Sequence, residues 1–457
     1  MTRQSKENLS RLYSSRDTIQ HFLLKRSKKG ESSREAKDLA PSVSPGSSQS
    51  SFHELAGNEF IQQAMDFLEN APFFGAMVIK PDTVNPTSMA VDADDAQALI
   101  FEIKKVADRL LDQSNGCWGL LETDVIGCFL SGADDVRCLE LAGHIQKDIV
   151  RRTNRTVSIG AAVFPTIDYG RRDIMDNARK ALSHAAFLGP DQTVLFDSVS
   201  LNISGDAYYQ DEDVDGAVRE FQAALKLDPE NANVHNSLGV CYGVQGSLEK
   251  ALDAFKTVID LDDDHFMAHY NAGYVYSLQN NTQKAMEHFL KADAIGEDVF
   301  EVTFQIGKLY LDMCDPSKGK PFLKKALTIR PDSAITHFHL GECCQALDKR
   351  EQAVVHYETA VKKNPNDAAA LSVLGALYDE KGENPEISTM FCEKSVEMSP
   401  ENGLFQYRLG CVYANNDQLD NALNVFENAI KLGYDAEKEM ERVKERLNPA
   451  RHEGLSN

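Results

Sequence analysis

Three histidines, His235, His269 and His337, recur at spacings of 34 and 68 residues and resemble a metal-ligand set. Equivalent helices in a stacked array stand roughly 8–10 Å apart, whereas the ligands of one zinc ion sit about 2 Å from it. Each histidine is therefore expected to fill a helix–helix contact, and no metal or cofactor is assigned. The nine cysteines, Cys117, Cys128, Cys138, Cys241, Cys314, Cys343, Cys344, Cys392 and Cys411, are odd in number and include no C-x-x-C pair. That disfavours a disulfide framework and a zinc site. Cys117 lies in Gly116-Cys117-Trp118-Gly119, which reads as a turn entering a strand, with no histidine partner to activate a thiol. The chain has no phosphate-binding P-loop, no nucleophile elbow and no H-E-x-x-H helix. No catalytic residue is assigned.

The histidine spacing belongs to a larger pattern. Glycine recurs at Gly205, Gly239, Gly273, Gly307, Gly341, Gly375 and Gly410, at intervals of 34 residues and finally 35. Three residues after each comes Tyr208, Tyr242, Tyr276, Tyr310, Cys344, Tyr378 or Tyr413. Further on stand a small residue (Ala217, Ala251, Ala285, Gly319, Ala353, Ser388, Ala422) and then Phe221, Phe255, Phe289, Leu323, Tyr357, Cys392 or Phe426. The spacing predicts two helices of about a dozen residues per unit, packed closely where the glycine meets the bulky residue. Proline at Pro229, Pro331, Pro365 and Pro400 stops the second helix. One hairpin cannot bury its apolar face alone, so neighbours must stack.

This pattern resembles the tetratricopeptide repeat (TPR) through seven consecutive units over 198–434, although the early tryptophan of that family is absent. A charged segment, Asp435–Leu447, is expected to cap the array within a C-terminal part spanning 435–457. The resemblance implies a groove along the first helices that binds a partner protein or peptide. Positions there are Asn202, Asn236, Tyr270, Asn271, Tyr274, Phe304, Lys308, Phe338, Tyr407 and Arg408. Aromatics offer apolar area at low entropic cost, and amides can bond an extended backbone. The lysine-and-asparagine clamp of chaperone-tail binders is not evident, since Lys308 and Arg408 are isolated.

Residues 52–197 read as mixed α/β, in the order α-β-α-β-β-α-β-α-β, with apolar runs at Phe74–Ile79, Cys117–Leu121, Ile126–Leu130, Thr156–Phe164 and Thr193–Phe196. Thr156–Ala162, Asp176–Asp197 and the Cys117–Leu130 hairpin resemble the diguanylate cyclase domain, named for a Gly-Gly-Asp-Glu-Phe hairpin (GGDEF-like). In that family glycines let the backbone approach GTP and carboxylates hold metal. Here the tip reads Glu122-Thr123-Asp124-Val125-Ile126, so only Asp124 matches. The acid expected after the first strand is at most Asp82, beside Lys80. Arg109–Asp112 has the spacing of the inhibitory Arg-x-x-Asp site but lies too far before the hairpin, inside a predicted helix. The resemblance implies a degenerate cyclase-like domain, predicted inactive, that supplies regulation or homodimer contacts. The alternative is a nucleotide-responsive receptor or residual diguanylate cyclase binding GTP or cyclic di-GMP.

The 457 residues carry 48 basic and 70 acidic side chains, net −22. A general nucleic-acid binder needs a positive contact face to replace phosphate counterions, so no nucleic-acid partner is expected. The charge is uneven: Met1–Lys37 is net +6, Asp38–Asp197 net −10 and Ser198–Asn457 net −18. Residues 1–51 read as a disordered basic tail and Ser/Pro-rich linker, with Thr18–Leu24 a short amphipathic stretch. No run of 18 apolar residues appears, so no stable membrane insertion is expected, and the lack of a secretory core points to the cytoplasm. The expected fold is multidomain: a cyclase-like α/β domain followed by an all-α TPR solenoid, working as a non-catalytic interaction scaffold.

Overall fold

The computed structural model describes residues 56–82, 93–112, 115–296, 298–382 and 384–447. The basic segment, the Thr18–Leu24 stretch, the linker and the chain after residue 447 lie outside the described residues. The chain forms two compact units, Met1–Ala268 and His269–Asn457. Among the described residues no helix is long and apolar enough to cross a membrane.

The first unit begins with a small α/β region. Its elements are α1 (Gly57–Phe67), β1 (Phe74–Pro81), α2 (Ala93–Asp112), β2 (Gly116–Glu122), β3 (Val125–Ser131), α3 (Asp135–Thr153), β4 (Val157–Phe164), α4 (Ile174–Leu188) and β5 (Thr193–Leu195). The order is the one that the apolar periodicity predicts. The sheet runs β2-β3-β1-β4-β5. Its central strand β1 is antiparallel to both β3 and β4, while β4 and β5 are parallel. Because side chains alternate across a strand, Met77, Ile79, Ile126, Cys128 and Ile159 face one layer, packed against Ile103 and Val106 of α2 and Leu141 and Ile145 of α3. The opposite face holds α1 and α4: Phe60 meets Phe129 at 5.9 Å. Gly160 brings β4 so near α4 that an added Cβ would lie 2.1 Å from the Leu182 nitrogen. Local signals set the helix ends. Asp134 caps α3 by accepting from the Arg137 N–H at 2.9 Å, and Asn154 closes it at φ +56°.

The same unit continues into two helical hairpins, α5 (Ser198–Gln210) with α6 (Val214–Leu227) and α7 (Ala232–Val244) with α8 (Leu248–Leu261). No spacer separates them from the sheet. Asp197 follows β5 and caps α5, accepting from the Ser200 N–H at 2.8 Å. Lys180 of α4 and Glu220 of α6 pair at 2.7 Å with 18% and 13% side-chain exposure.

The second unit holds most of α9 (Phe266–Leu278), then α10 (Thr282–Ile295), α11 (Phe300–Asp312), α12 (Pro316–Ile329), α13 (Ala334–Ala346), α14 (Arg350–Lys363), α15 (Ala368–Lys381), α16 (Pro385–Met398), α17 (Gly403–Asn415), α18 (Leu419–Lys431) and α19 (Glu437–Leu447). In each hairpin the periodic glycine faces the bulky residue 16 or 17 positions on. A Cβ on Gly410 would lie 2.5 Å from the Phe426 ring. The hairpin turns need one left-handed residue, which falls on residues as unlike as Asn280, Cys314 and Asp348. The sixth unit, with its extra residue, uses two, Gly382 and Asn384. At the end α19 lays Val443 on the core of Phe426 and Ala429, and Arg446 donates to the Ala414 carbonyl at 2.8 Å.

Candidate functional site

Two places combine reactive or recognising side chains: the β2–β3 tip and the first helices of the repeats. At the tip, the structure pairs each acid internally. The Lys80 ammonium stands 3.8 Å from Asp124. Arg179 of α4 donates to Glu122 at 2.6 Å. Asp82 accepts from the Ser158 hydroxyl at 2.6 Å and from the Asp191 N–H at 2.7 Å. Asp82 thus fastens the end of β1 to β4 and to the turn before β5. Arg109 is ion-paired with Asp148, which joins α2 to α3. Burial raises the Cys117 thiol to about 12, so it is not a thiolate near neutrality. Among the described residues no group of three or more histidines, cysteines or carboxylates is placed to hold a metal ion.

The periodic histidines bond locally. His235 Nε2 lies 2.8 Å from the Pro229 carbonyl. His269 Nδ1 meets His288 Nδ1 at 3.1 Å, and His337 Nδ1 meets His356 Nδ1 at 3.3 Å. In each of these two pairs one ring donates to the other. Burial, then the neighbouring His337, lowers His356 to about 4. The second member of each pair, 19 residues on, was not anticipated from the spacing of the first.

The ten expected groove positions divide in two. Asn202, Asn236, Tyr270 and Asn271 are only 3%, 6%, 0% and 1% exposed. They are taken into helix packing, which corrects the expectation that they offer open contact area. Tyr270 shows why: its ring lies 5.8 Å from that of Phe289, between the two helices of its own hairpin. The other six, Tyr274, Phe304, Lys308, Phe338, Tyr407 and Arg408, are half-buried. Phe304 of α11 meets His339 of α13 at 5.4 Å. Phe338 packs 5.5 Å from Tyr357. Tyr407 instead leans on Tyr434 at 4.9 Å, toward the array's end. Arg408 of α17 donates to the Ser372 hydroxyl of α15 at 3.2 Å, and burial lowers its pKa. Sequence reasoning missed His339 and Glu342, joined at 2.7 Å on α13, and Asn415, which donates to Asp379 at 2.7 Å. Their first-helix positions were the available signal. The second unit therefore presents half-buried aromatic rings on α11, α13 and α17, side chains that offer apolar contact area.

Models of the tetratricopeptide repeat match residues 205–246, 243–299, 310–377 and 405–432. Hsp70-Hsp90 organizing protein 3 of Arabidopsis thaliana is 32% identical over 83 residues, which are 18% of this chain and 15% of that relative. The chain thus spans under a sixth of that relative's length. Among solved structures, MamA is 24% identical with a TM-score of 0.34, covering 38% of this chain and 94% of that one. YrrB, described as a TPR protein with an unusual peptide-binding site, is 22% identical with a TM-score of 0.36, covering 40% and 95%. PilF of Pseudomonas aeruginosa is 18% identical with a TM-score of 0.42, covering 46% and 95%.

Proposed function

We propose, from the premise that the helical region is built of tetratricopeptide repeats, that this chain is a non-catalytic protein-interaction scaffold of the cytoplasm. In this reading residues 198–434 are the binding array and residues 52–197 a degenerate cyclase-like domain with a regulatory or dimerising role. Repeats of this family mediate protein–protein interaction. One observation carries the assignment of the binding face: Phe304 and Phe338 sit half-buried beside His339, with ring centroids at 5.4 and 5.5 Å. Such rings lose little entropy on binding and offer large contact area. The chaperone partners printed in the relative's name are not carried over, because the match covers 83 residues.

The inactive reading of the α/β region rests on its carboxylates. A cyclase must leave acids free to hold a divalent cation, whereas Lys80, Arg179 and Ser158 occupy Asp124, Glu122 and Asp82 here.

The test selects peptides from a random library on the full chain, then measures their affinity by calorimetry. Phe304→Ala with Phe338→Ala should weaken the selected peptides about tenfold or more, as loss of two aromatic anchors does, with helical content unchanged. Equal affinity in the double variant would remove the face from the second unit's helices.

A further inference from the structure

In the first unit a cleft of about 560 Å³ lies between α4, the last helix of the α/β region, and α5, the first helix of the repeats. His184, near the end of α4, lies 3.4 Å from Ser200, near the start of α5, and both helices run away from that contact along the cleft. The walls therefore change from one end to the other. Ile203, Ala207 and Tyr208 of α5 supply an apolar side, and Tyr208 is 40% exposed. At the far end stand Asp176 of α4 and Asp211, which closes α5. The two cations of the cleft are already matched: Arg179 donates to Glu122 at 2.6 Å, and Lys180 pairs with Glu220 at 2.7 Å. Among the described residues the carboxylates of Asp176 and Asp211 make no hydrogen bond or ion pair. The cleft thus offers an apolar wall that ends in two unmatched negative charges.

We propose that the chain's own segment Thr18–Lys29 (TIQHFLLKRSKK) docks in this cleft. The order of its chemistry matches that of the walls. Ile19, Phe22 and Leu23, spaced to share one helical face, precede Lys25, Arg26, Lys28 and Lys29. The apolar side chains cover Ile203, Ala207 and Tyr208, and the basic ones meet Asp176 and Asp211. Charge favours the same choice: Met1–Lys37 is net +6, whereas Asp38–Asp197 is net −10 and Ser198–Asn457 net −18. So does the place where the described chain begins. Ala56 pairs with Leu120, and two residues further on Glu122 bonds Arg179 in the wall of the cleft. The chain from Lys29 to Ala56 can extend over about 90 Å, so an attachment beside the cleft puts the segment within reach of it. Tethering gives the segment an effective concentration on the order of millimolar, at which modest contacts suffice. The docking does not depend on Phe304 or Phe338.

The experiment titrates a labelled peptide of the sequence Thr18–Lys29 into the full-length chain and into a full-length variant, Phe22→Ser with Leu23→Ser, designed to free the cleft. Saturable binding to the variant is expected, about tenfold or more tighter than to the parent, whose own segment competes. Adding Asp176→Asn with Asp211→Asn to the variant should weaken the peptide roughly fivefold and remove most of its salt dependence. Adding Tyr208→Ser should weaken it about tenfold. Both aspartates are exposed, so their replacement keeps the fold, checked by Trp118 fluorescence and helical circular dichroism. Equal affinity for parent and variant, no binding to the variant, or binding that neither the aspartate nor the tyrosine change weakens overturns the docking. If the parent forms dimers that Phe22→Ser with Leu23→Ser dissolves, the segment lies in the cleft of a second copy, and docking within one chain is overturned.

Discussion

Four ionisable groups around the sheet are held differently from two on the first helices of the repeats. Around the sheet, Asp82, Glu122, Asp124 and Arg109 each have a partner from a different element. Along the first helices, Asp206 has no partner among the described residues and Arg408 has a neutral one, Ser372. A sheet layered by helices has one arrangement, and charges at its rim serve to hold that arrangement. A repeat is stabilised by contacts that recur in every hairpin, so a single position can be left unmatched at modest cost.

The largest expected effect tests that distribution. In Gly160→Val, a Cβ would meet the backbone of α4 at 2.1 Å from the Leu182 nitrogen and 2.2 Å from the Ala178 oxygen, which cannot yield as a side chain does. The cost should exceed about 3 kcal/mol, the upper end for overpacking, and abolish the cooperative transition of the sheet. Trp118 is the chain's only tryptophan and donates to Asp108 at 2.9 Å, so its emission reports this region alone. Gly410→Ala meets a ring edge at 2.5 Å in the last hairpin. It should cost about 1–3 kcal/mol, lowering the thermal midpoint followed by helical circular dichroism while leaving Trp118 emission unchanged. Equal loss of the Trp118 signal in both variants would mean that stability is shared across the chain and not held locally.

That contrast also explains what the sequence discloses. A glycine and the ring it contacts are 16 residues apart in Gly205 and Phe221, within one repeat, so their spacing is visible in the chain. The partners of Asp82 are 76 and 109 residues away, and no periodicity marks them. Apolar alternation revealed the order of strands and helices around the sheet, but it could not reveal that the one acid after β1 is a fastener. In the repeats, Tyr270 and Tyr274 look alike in sequence. Only the packing against Phe289 separates a core residue from a half-exposed one.

A smaller effect concerns two aspartates nine residues apart. Burial raises Asp206 to about 7. For Asp197 burial also pushes upward, but hydrogen bonds with His184 and Ser200 outweigh it and leave the carboxyl below its usual value. The consequences for pH are opposite. Folded Asp206 keeps its proton where the unfolded chain has lost it, so this group makes stability fall as pH rises from about 4 to about 7, and level off above. Asp197 stabilises the fold above the ordinary carboxylate range, and that contribution is lost as pH falls through its lowered pKa. Asp206→Asn should therefore raise the thermal midpoint most at pH 8 and least near pH 4. Asp197→Asn should lower it at pH 8 and little below the carboxylate range. Parallel pH profiles for the two variants would contradict the opposite environments assigned to them.

The smallest expected effect bears on the α/β chemistry itself. Lys80 and Asp124 are 47% and 50% exposed and 3.8 Å apart, so Lys80→Ala should change stability by no more than about 0.5 kcal/mol, the ordinary worth of an exposed pair. The informative readout is binding. If Lys80 alone masked a divalent-cation site, its removal would free Asp124 and the variant would take up GTP with Mg²⁺. The geometry argues otherwise, because Glu122 remains held by Arg179 and Asp82 by Ser158 and the Asp191 N–H. One freed carboxylate at the tip is a weak ligand for a cation that favours near-octahedral oxygen coordination. Calorimetry of the full-length Lys80→Ala chain should thus give no saturable heat with GTP and Mg²⁺, or with cyclic di-GMP. Micromolar binding that a further Asp124→Ala removes would make the region a nucleotide receptor and return part of the recognition to the sheet.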